Sequence, residues 1–360
     1  MQLVAPITSL CFTQKGGLVL AGLGHTLHIY DAATGKLLLV EAVFPGGEAI
    51  HGIVTHTVGS DGVELLLLFG IREFRVHVLD VEGGALTPPL VPLFERRLAR
   101  RVLAMGLAHG SSTAAAGTKA LLLVVGSDDN ALTLWSVGEL APGGHCELPE
   151  TRLASRSAAR PAQRIGCSHH SVLYSMALQQ PRLEAEGAEG GGRMLVAAGS
   201  AFLNIVVWDG TPAADAQDAP VTRPPRFALV GHAGAFFCLN WSFSGRWLVS
   251  CSDDRRVLLW RVDAPPVVQS GVPTADPSAL AAPLSPLTSW FAHSARVWQC
   301  CWVAEGEASA AVASAGEDGN AKLWSVRLDQ SGQPARCVRR VGAVEWVRWN
   351  GWRLVGKEKW

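Results

Sequence analysis

The sequence predicts an all-β fold, a propeller of repeated four-stranded antiparallel blades, and three observations predict it. Six apolar strands end alike, at Leu27-His-Ile-Tyr-Asp31, Val76-His-Val-Leu-Asp80, Leu132-Thr-Leu-Trp135, Asn204-Ile-Val-Val-Trp-Asp209, Val257-Leu-Leu-Trp260 and Ala321-Lys-Leu-Trp324. Their anchors, at positions 30, 79, 135, 208, 260 and 324, recur at 49 to 73 residues, against about 40–45 for a bare blade. The strands also follow one another without intervening helical periodicity, which excludes a nucleotide-binding α/β sheet.

The first, second and fourth copies keep the strand pattern and little else. The third keeps Asp129 and Trp135 but carries Val125 where a serine is expected. The fifth is the sharpest: Leu248-Val-Ser-Cys-Ser-Asp-Asp-Arg-Arg-Val-Leu-Leu-Trp260, preceded by Gly231-His232. That is the spelling of a WD40 blade, a unit that cannot bury both faces alone and therefore stacks on neighbours. It supplies a full polar relay of His232, Ser250, Asp254 and Trp260. The sixth copy repeats it as His293, Ser314, Asp318 and Trp324, with Ala292 in place of the usual glycine. A Ser/His/Asp trio invites a hydrolase reading. Here it occurs twice, lacks a Gly-x-Ser-x-Gly elbow, and has a tryptophan partner that explains it structurally. No catalytic residue is therefore assigned.

The blades are expected at about 3–43, 48–94, 100–140, 166–230, 231–291 and 293–340, making 1–340 the propeller. Residues 341–360 read as an incomplete seventh blade or a tail. Their Trp346, Trp349 and Trp352 also fit a short helix or a stacking surface. Copies longer than a bare blade must carry insertions. Pro142–Gln163, Arg182–Gly192, Thr211–Pro225 and Ala264–Pro286 have the loop composition for it.

Charged residues are 17% and hydrophobic ones 48%, with mean hydropathy +0.20, which suits sheets covered on both faces. The longest aliphatic runs, Leu65–Phe69 and Ala120–Val125, are far short of the ~18 residues of a spanning helix. The amino terminus carries no basic segment or signal core, so no membrane partner is expected. Eight cysteines with no Cys-x-x-Cys pair read as free thiols in a reducing compartment, with cytoplasmic location and no metal. Glycine-rich cofactor fingerprints are missing too, so no cofactor is expected.

Lys+Arg and Asp+Glu balance at 31 each, so contact with nucleic acid must come from local patches. Arg96, Arg97, Arg100 and Arg101 form the first choice. Arg152, Arg156, Arg160 and Arg164 form a second cluster and Arg336, Arg339 and Arg340 a third. For each, a solvated loop is the plainer reading. In the sixth copy, Arg296 and Trp298 are two apart and project to one side of an extended strand. Glu317 sits on the same rim. Arg and Trp together suit phosphate pairing and base stacking, or a protein hot spot; the plainer reading is a packed tryptophan beside an Arg296–Glu317 pair.

The string His293-Ser-Ala-Arg-Val-Trp-Gln299, then Ser314-Ala-Gly-Glu-Asp318 and Leu323-Trp324, resembles the WD repeat-containing protein 6 family and its fungal relatives. Leu20-Ala-Gly-Leu-Gly24, Ile50-His-Gly-Ile53 with Leu68-Phe-Gly70, and Leu195-Val-Ala-Ala-Gly199 with Ile205-Val-Val-Trp208 extend the resemblance over about 3–326. The resemblance implies a non-catalytic regulatory subunit of a tRNA 2′-O-methyltransferase. It would hold tRNA and an FtsJ-type enzyme together for methylation of wobble nucleotide 34, with S-adenosylmethionine bound by the enzyme. Family members have more than one propeller, and this sequence matches the first. The alternative is a general WD40 interaction scaffold, such as a ubiquitin-ligase substrate receptor or a signalling platform.

Overall fold

Leucine and β-branched residues at period two drive these segments into strands, since alternate side chains fall on opposite faces. The computed structural model describes residues 7–13, 17–60, 62–79, 81–82, 85–86, 90, 92–110, 118–140, 145–148, 161–169, 171, 173–179, 194–200, 204–213, 220–262, 283–328, 336–341, 344–347 and 351–354. Among these there is no helix, and the strands form six antiparallel blades of a WD40 propeller.

Each blade runs a, b, c, d from the inner strand outward. They are Ile7–Phe12, Leu18–Leu23, Thr26–Asp31 and Leu37–Ala42 in the first, and Gly52–Val58, Val63–Phe69, Glu73–Leu79 and Pro92–Arg97 in the second. The third has Val102–Gly110, Lys119–Ser127, Ala131–Leu140 and Gln163–Cys167; the fourth has Leu173–Leu178, Leu195–Ser200, Asn204–Asp209 and Pro225–Val230. The fifth has Phe236–Trp241, Trp247–Ser252, Arg256–Arg261 and Thr288–Phe291, and the sixth Val297–Glu305, Ser309–Gly316, Ala321–Arg327 and Arg336–Val341.

The third blade differs from the expected 100–140. Its outer strand, Gln163–Cys167, lies beyond the insertion and pairs with Ala131–Leu134. The fourth blade accordingly begins at Leu173 rather than 166, and the second extends past 94 to Arg97. An insertion between strands c and d conceals strand d, because repeat spacing is the only sequence clue to it. Three segments read as loop also pair: Cys146–Glu147 lies antiparallel to Glu139–Leu140, Val221–Arg223 parallel to Ile165–Cys167, and Pro283–Leu284 parallel to Ala228–Leu229. The arginine stripe at 152–160 lies outside the described residues.

Successive blades bury apolar layers between them. The five layers lie between blades one and two, two and three, three and four, four and five, and five and six. Indoles fasten the inner strands: Trp241 Nε1 donates to the Ala177 carbonyl at 3.1 Å, and Trp302 Nε1 to the Asn240 carbonyl at 3.0 Å. Trp208, fully buried in the fourth blade, donates to Asn130 Oδ1 in the third at 3.0 Å, and Asn130 Nδ2 donates to the His169 carbonyl. Residues 344–347 and 351–354 form a hairpin on the inner edge of the first blade, through a pairing of Trp352 with Ile7.

Candidate partner-binding rim

Antiparallel order places every b–c turn and every d–a loop on one face. In the fifth blade the relay runs through that face. Trp260 Nε1 donates to Ser250 Oγ at 2.8 Å, and Ser250 Oγ lies 2.8 Å from His232 Nε2. His232 Nδ1 lies 2.8 Å from Asp254 Oδ2. One tautomer satisfies every atom: the serine hydroxyl donates to Nε2 and Nδ1–H donates to the carboxylate. Asp254 also accepts from the Ala233 and Arg256 amides. The sixth blade repeats the arrangement, with Trp324 to Ser314 at 2.8 Å, Ser314 to His293 at 2.9 Å, and His293 to Asp318 at 2.8 Å. With every member bonded inward, these residues clamp the turn. A Cβ added at Gly316 would lie 2.5 Å from the His293 ring, so the turn is closed tightly over it.

The turn's third residue needs positive φ. Gly319 has φ 72°, Asn130 57° and Arg255 69°. Glycine, or asparagine to a lesser degree, adopts this readily, and Arg255 is held there by the relay.

Burial alone raises the Asp318 pKa, but the Ser294 amide, the His293 ring and the Asn320 amide outweigh it and hold the carboxyl at about 2. Burial lowers His293, against the pull of Asp318. Both shifts have the same sign in stability. Asp318 stabilises fully above its unfolded value of 3.8 and loses that as pH falls toward 2. His293 takes up a proton more readily when unfolded, so stability falls below its unfolded value of 6.5. Urea midpoints are therefore expected to decline steadily from pH 7 to pH 3, and the decline should be shallower in Asp318→Asn.

One repeated bond orders the rim. The Glu317 amide donates to the Arg296 carbonyl, Asp253 to Ala235, and Asp128 to Arg101. Arg296, Ala235 and Arg101 are thus equivalent positions, as are Glu317, Asp253 and Asp128. Arg296 Nε lies 2.6 Å from Asp253 Oδ1 of the fifth blade and 3.9 Å from Glu317 Oε2. The nearer partner is the acid of the preceding blade, which the sequence reading missed. Trp298 also reaches the fifth blade, packing on Phe237 with ring centroids 4.3 Å apart and planes tilted by 37°. About half of the Arg296, Asp253 and Glu317 side-chain surfaces stay exposed.

The Arg96–Arg101 cluster is divided. Arg96 and Arg97 end strand d of the second blade, not a loop. Arg96 lies over Phe94 at 4.7 Å and donates to the Glu95 carbonyl, and Arg97 pairs with Glu73. Arg100 is 3.9 Å from Asp129, which Arg164 also meets at 2.5 Å. Asp129 is raised by burial, yet the Ser127 hydroxyl and Arg164 hold it below the ordinary range. Arg101 is exposed near His51, whose pKa is lowered by burial and then by Arg101. Among the described residues no carboxylate stands within ion-pair distance of Arg101. Of the third cluster, Arg336 is exposed on strand d of the sixth blade.

The inner strands surround a cavity of about 1070 Å³ lined by Ser9 and Leu10, His51 and His56, Met105, Met176, Trp241, and Gln299 and Cys301 among others. Seven described cysteines are free thiols. Cys238 faces Cys251 across the fifth blade, and its Sγ donates to the Cys300 carbonyl at 3.4 Å. Burial pushes Cys251 and Cys300 up, which keeps them protonated. No cluster of three or more His, Cys, Asp or Glu among the described residues could hold a metal ion.

The family model for the WD domain, G-beta repeat, matches residues 223–261 and 284–325, each covering the outer strand of one blade and strands a to c of the next, the fifth and the sixth. The fold is a WD40 propeller. The chain is 25% identical over 178 residues to tRNA (34-2'-O)-methyltransferase regulator WDR6 of Drosophila melanogaster, covering 49% of this chain and 16% of that protein. The proteins of the same name from Bos taurus and Homo sapiens are 29% and 28% identical over 178 residues, covering 46% of this chain and 14% of each relative. The matched stretch thus spans about a seventh of these relatives' length. No helix among the described residues is long and apolar enough to cross a membrane.

Proposed function

We propose that this chain is a non-catalytic WD40 adaptor in the cytoplasm that holds tRNA and an FtsJ-type methyltransferase together. The ribose 2′-hydroxyl of wobble nucleotide 34 is then methylated by the enzyme, which binds the S-adenosylmethionine. The observation that carries the reading is the rim of the sixth blade. There Arg296 stands about half exposed in the turn before the inner strand, and the partly buried Trp298 follows two residues on, packed on Phe237. Arg101 offers a second cation at the equivalent position of the third blade. Support also comes from the names of the relatives, regulators of a tRNA 2′-O-methyltransferase. The relays serve structure, so chemistry belongs to the partner.

Deleting the gene should abolish 2′-O-methylation at position 34, read by mass spectrometry of tRNA fragments. Normal methylation in the deletion strain sinks the proposal. In the intact protein, Arg296→Ala with Trp298→Ala should weaken capture of the enzyme and tRNA about 30-fold, as loss of a hot spot of about 2 kcal/mol does. One observation favours the general scaffold as a second reading: Arg97, Arg100 and Arg296 already face acids, which lessens their pull on phosphate. A pull-down dominated by ligase or kinase partners, without tRNA, would select it.

A further inference from the structure

We propose that Tyr174, Phe237 and Trp298 form one aromatic track across the fourth, fifth and sixth blades, a platform on which the unpaired bases of a single-stranded RNA loop stack. The track rests on the adaptor function proposed above and assigns this rim to an unpaired loop of the tRNA.

A recurring irregularity of the inner strands sets the track. Leu173 stands opposite Ser200 and Ser175 opposite Gly199, so Tyr174 between them has no cross-strand partner. The same step skips Phe237, between the pairs Phe236–Ser252 and Cys238–Cys251, and Trp298, between Val297–Gly316 and Gln299–Ala315. In the first and third blades it skips Thr8 and Leu103. A bulge of this kind adds one residue to one strand and re-aims its side chain. Ser200, Ser252 and Gly316 are the last residues of their b strands, so each extra residue sits beside a b–c turn, at the rim.

Three consecutive blades place an aromatic ring at this position, and none of the three rings joins one of the five apolar layers. Tyr174 is 49% exposed, and the half-buried Phe237 and Trp298 pack on each other. The bulge itself does not need a ring, because the first blade forms it with Thr8. Rings outside the layers and beside open rim offer faces on which any base can stack.

Charge favours RNA as the occupant. Asp253 and Glu317, the half-exposed acids of this rim, lie beside Arg296. Outward of Phe237, Arg255 is exposed in the b–c turn of the fifth blade, over the exposed Phe291 ring at 5.8 Å. Among the described residues no carboxylate stands within ion-pair distance of Arg255 or of Arg101. Arg255 keeps φ 69° where the sixth blade has Gly319, a costly backbone for a long side chain. Rings flanked by cations without acids match a single strand, in which bases and phosphates are both accessible.

Fluorescence anisotropy of the full chain with a synthetic RNA hairpin carrying an unpaired loop, and with the same stem as a blunt duplex, tests the track. The hairpin should bind at least about tenfold more tightly than the duplex. Tyr174→Ala should weaken hairpin binding about tenfold, and Tyr174→Phe, which keeps the ring, by less than about twofold. Arg255→Gly removes the cation and relieves the backbone, so the variant should fold while the salt dependence of log affinity becomes shallower by about one. No preference for the hairpin overturns the proposal, and so does a Tyr174→Ala variant that binds the hairpin like the parent. Either result can coexist with gene-dependent methylation of position 34, which judges the adaptor function separately. Weakened capture of the methyltransferase by Tyr174→Ala, with hairpin affinity unchanged, would give the rings to a protein partner and overturn the track as well.

Discussion

Asp254→Ala is expected to destabilise the protein by about 3 kcal/mol, because it strips three donors of one shared acceptor. The His232 ring, buried and 2.8 Å from Oδ2, loses the partner of its Nδ1–H, and the Ala233 and Arg256 amides lose theirs. Asp253→Ala next door is the control. Asp253 is 41% exposed and contributes a surface ion pair to Arg296, so its loss should cost under about 1 kcal/mol. Urea denaturation of both variants measures the contrast. The cycle of Asp254→Ala with His232→Phe should show a coupling above about 1 kcal/mol, since the two share one network. Equal effects of Asp253→Ala and Asp254→Ala would remove the relay from the account of this turn.

Trp208→Ala should cost about 4 kcal/mol, in the range for truncating a fully buried tryptophan. Its side chain has no exposure and packs among Leu132, Ile165, Met176 and Val196. The indole also anchors the third blade through Asn130, whose Oδ1 would be left without its donor. Trp208→Phe keeps most of the packing and loses only the bond, so it should cost about 1–3 kcal/mol. Thermal unfolding separates the two. A Phe variant as damaged as the Ala variant would assign most of the effect to the bond rather than the packing.

What could be read from the sequence was what lies within a blade. Spacing from His232 to Ser250, Asp254 and Trp260 is set by three strands and the two turns between them, so one repeat carries the whole pattern. Contacts between blades have no such signal. The pairing of Arg296 with Asp253, the ring contact of Trp298 with Phe237 and the bond of Trp208 to Asn130 join residues 43, 61 and 78 positions apart. They arise because wedge-shaped neighbours meet at a shared rim. The four-arginine run Arg96–Arg101 reads as one patch because it is contiguous, whereas the end of strand d falls inside it and sends Arg97 to Glu73 and Arg100 to Asp129. Strand Gln163–Cys167 was concealed for the opposite reason: an insertion separates it from the strand it joins.

The count of apolar layers carries one more consequence. Blades joined face to face form an array in which each of the second to fifth shares two of the five layers. The Trp241–Ala177 and Trp302–Asn240 bonds are rivets along that array, each holding one junction and none spanning two. Damage in the fifth blade therefore loosens two riveted junctions at once, one held through Trp241 and one through Asn240. The most regular blades, with their complete relays, are the fifth and sixth, so the Trp302–Asn240 rivet joins the two blades whose turns are clamped.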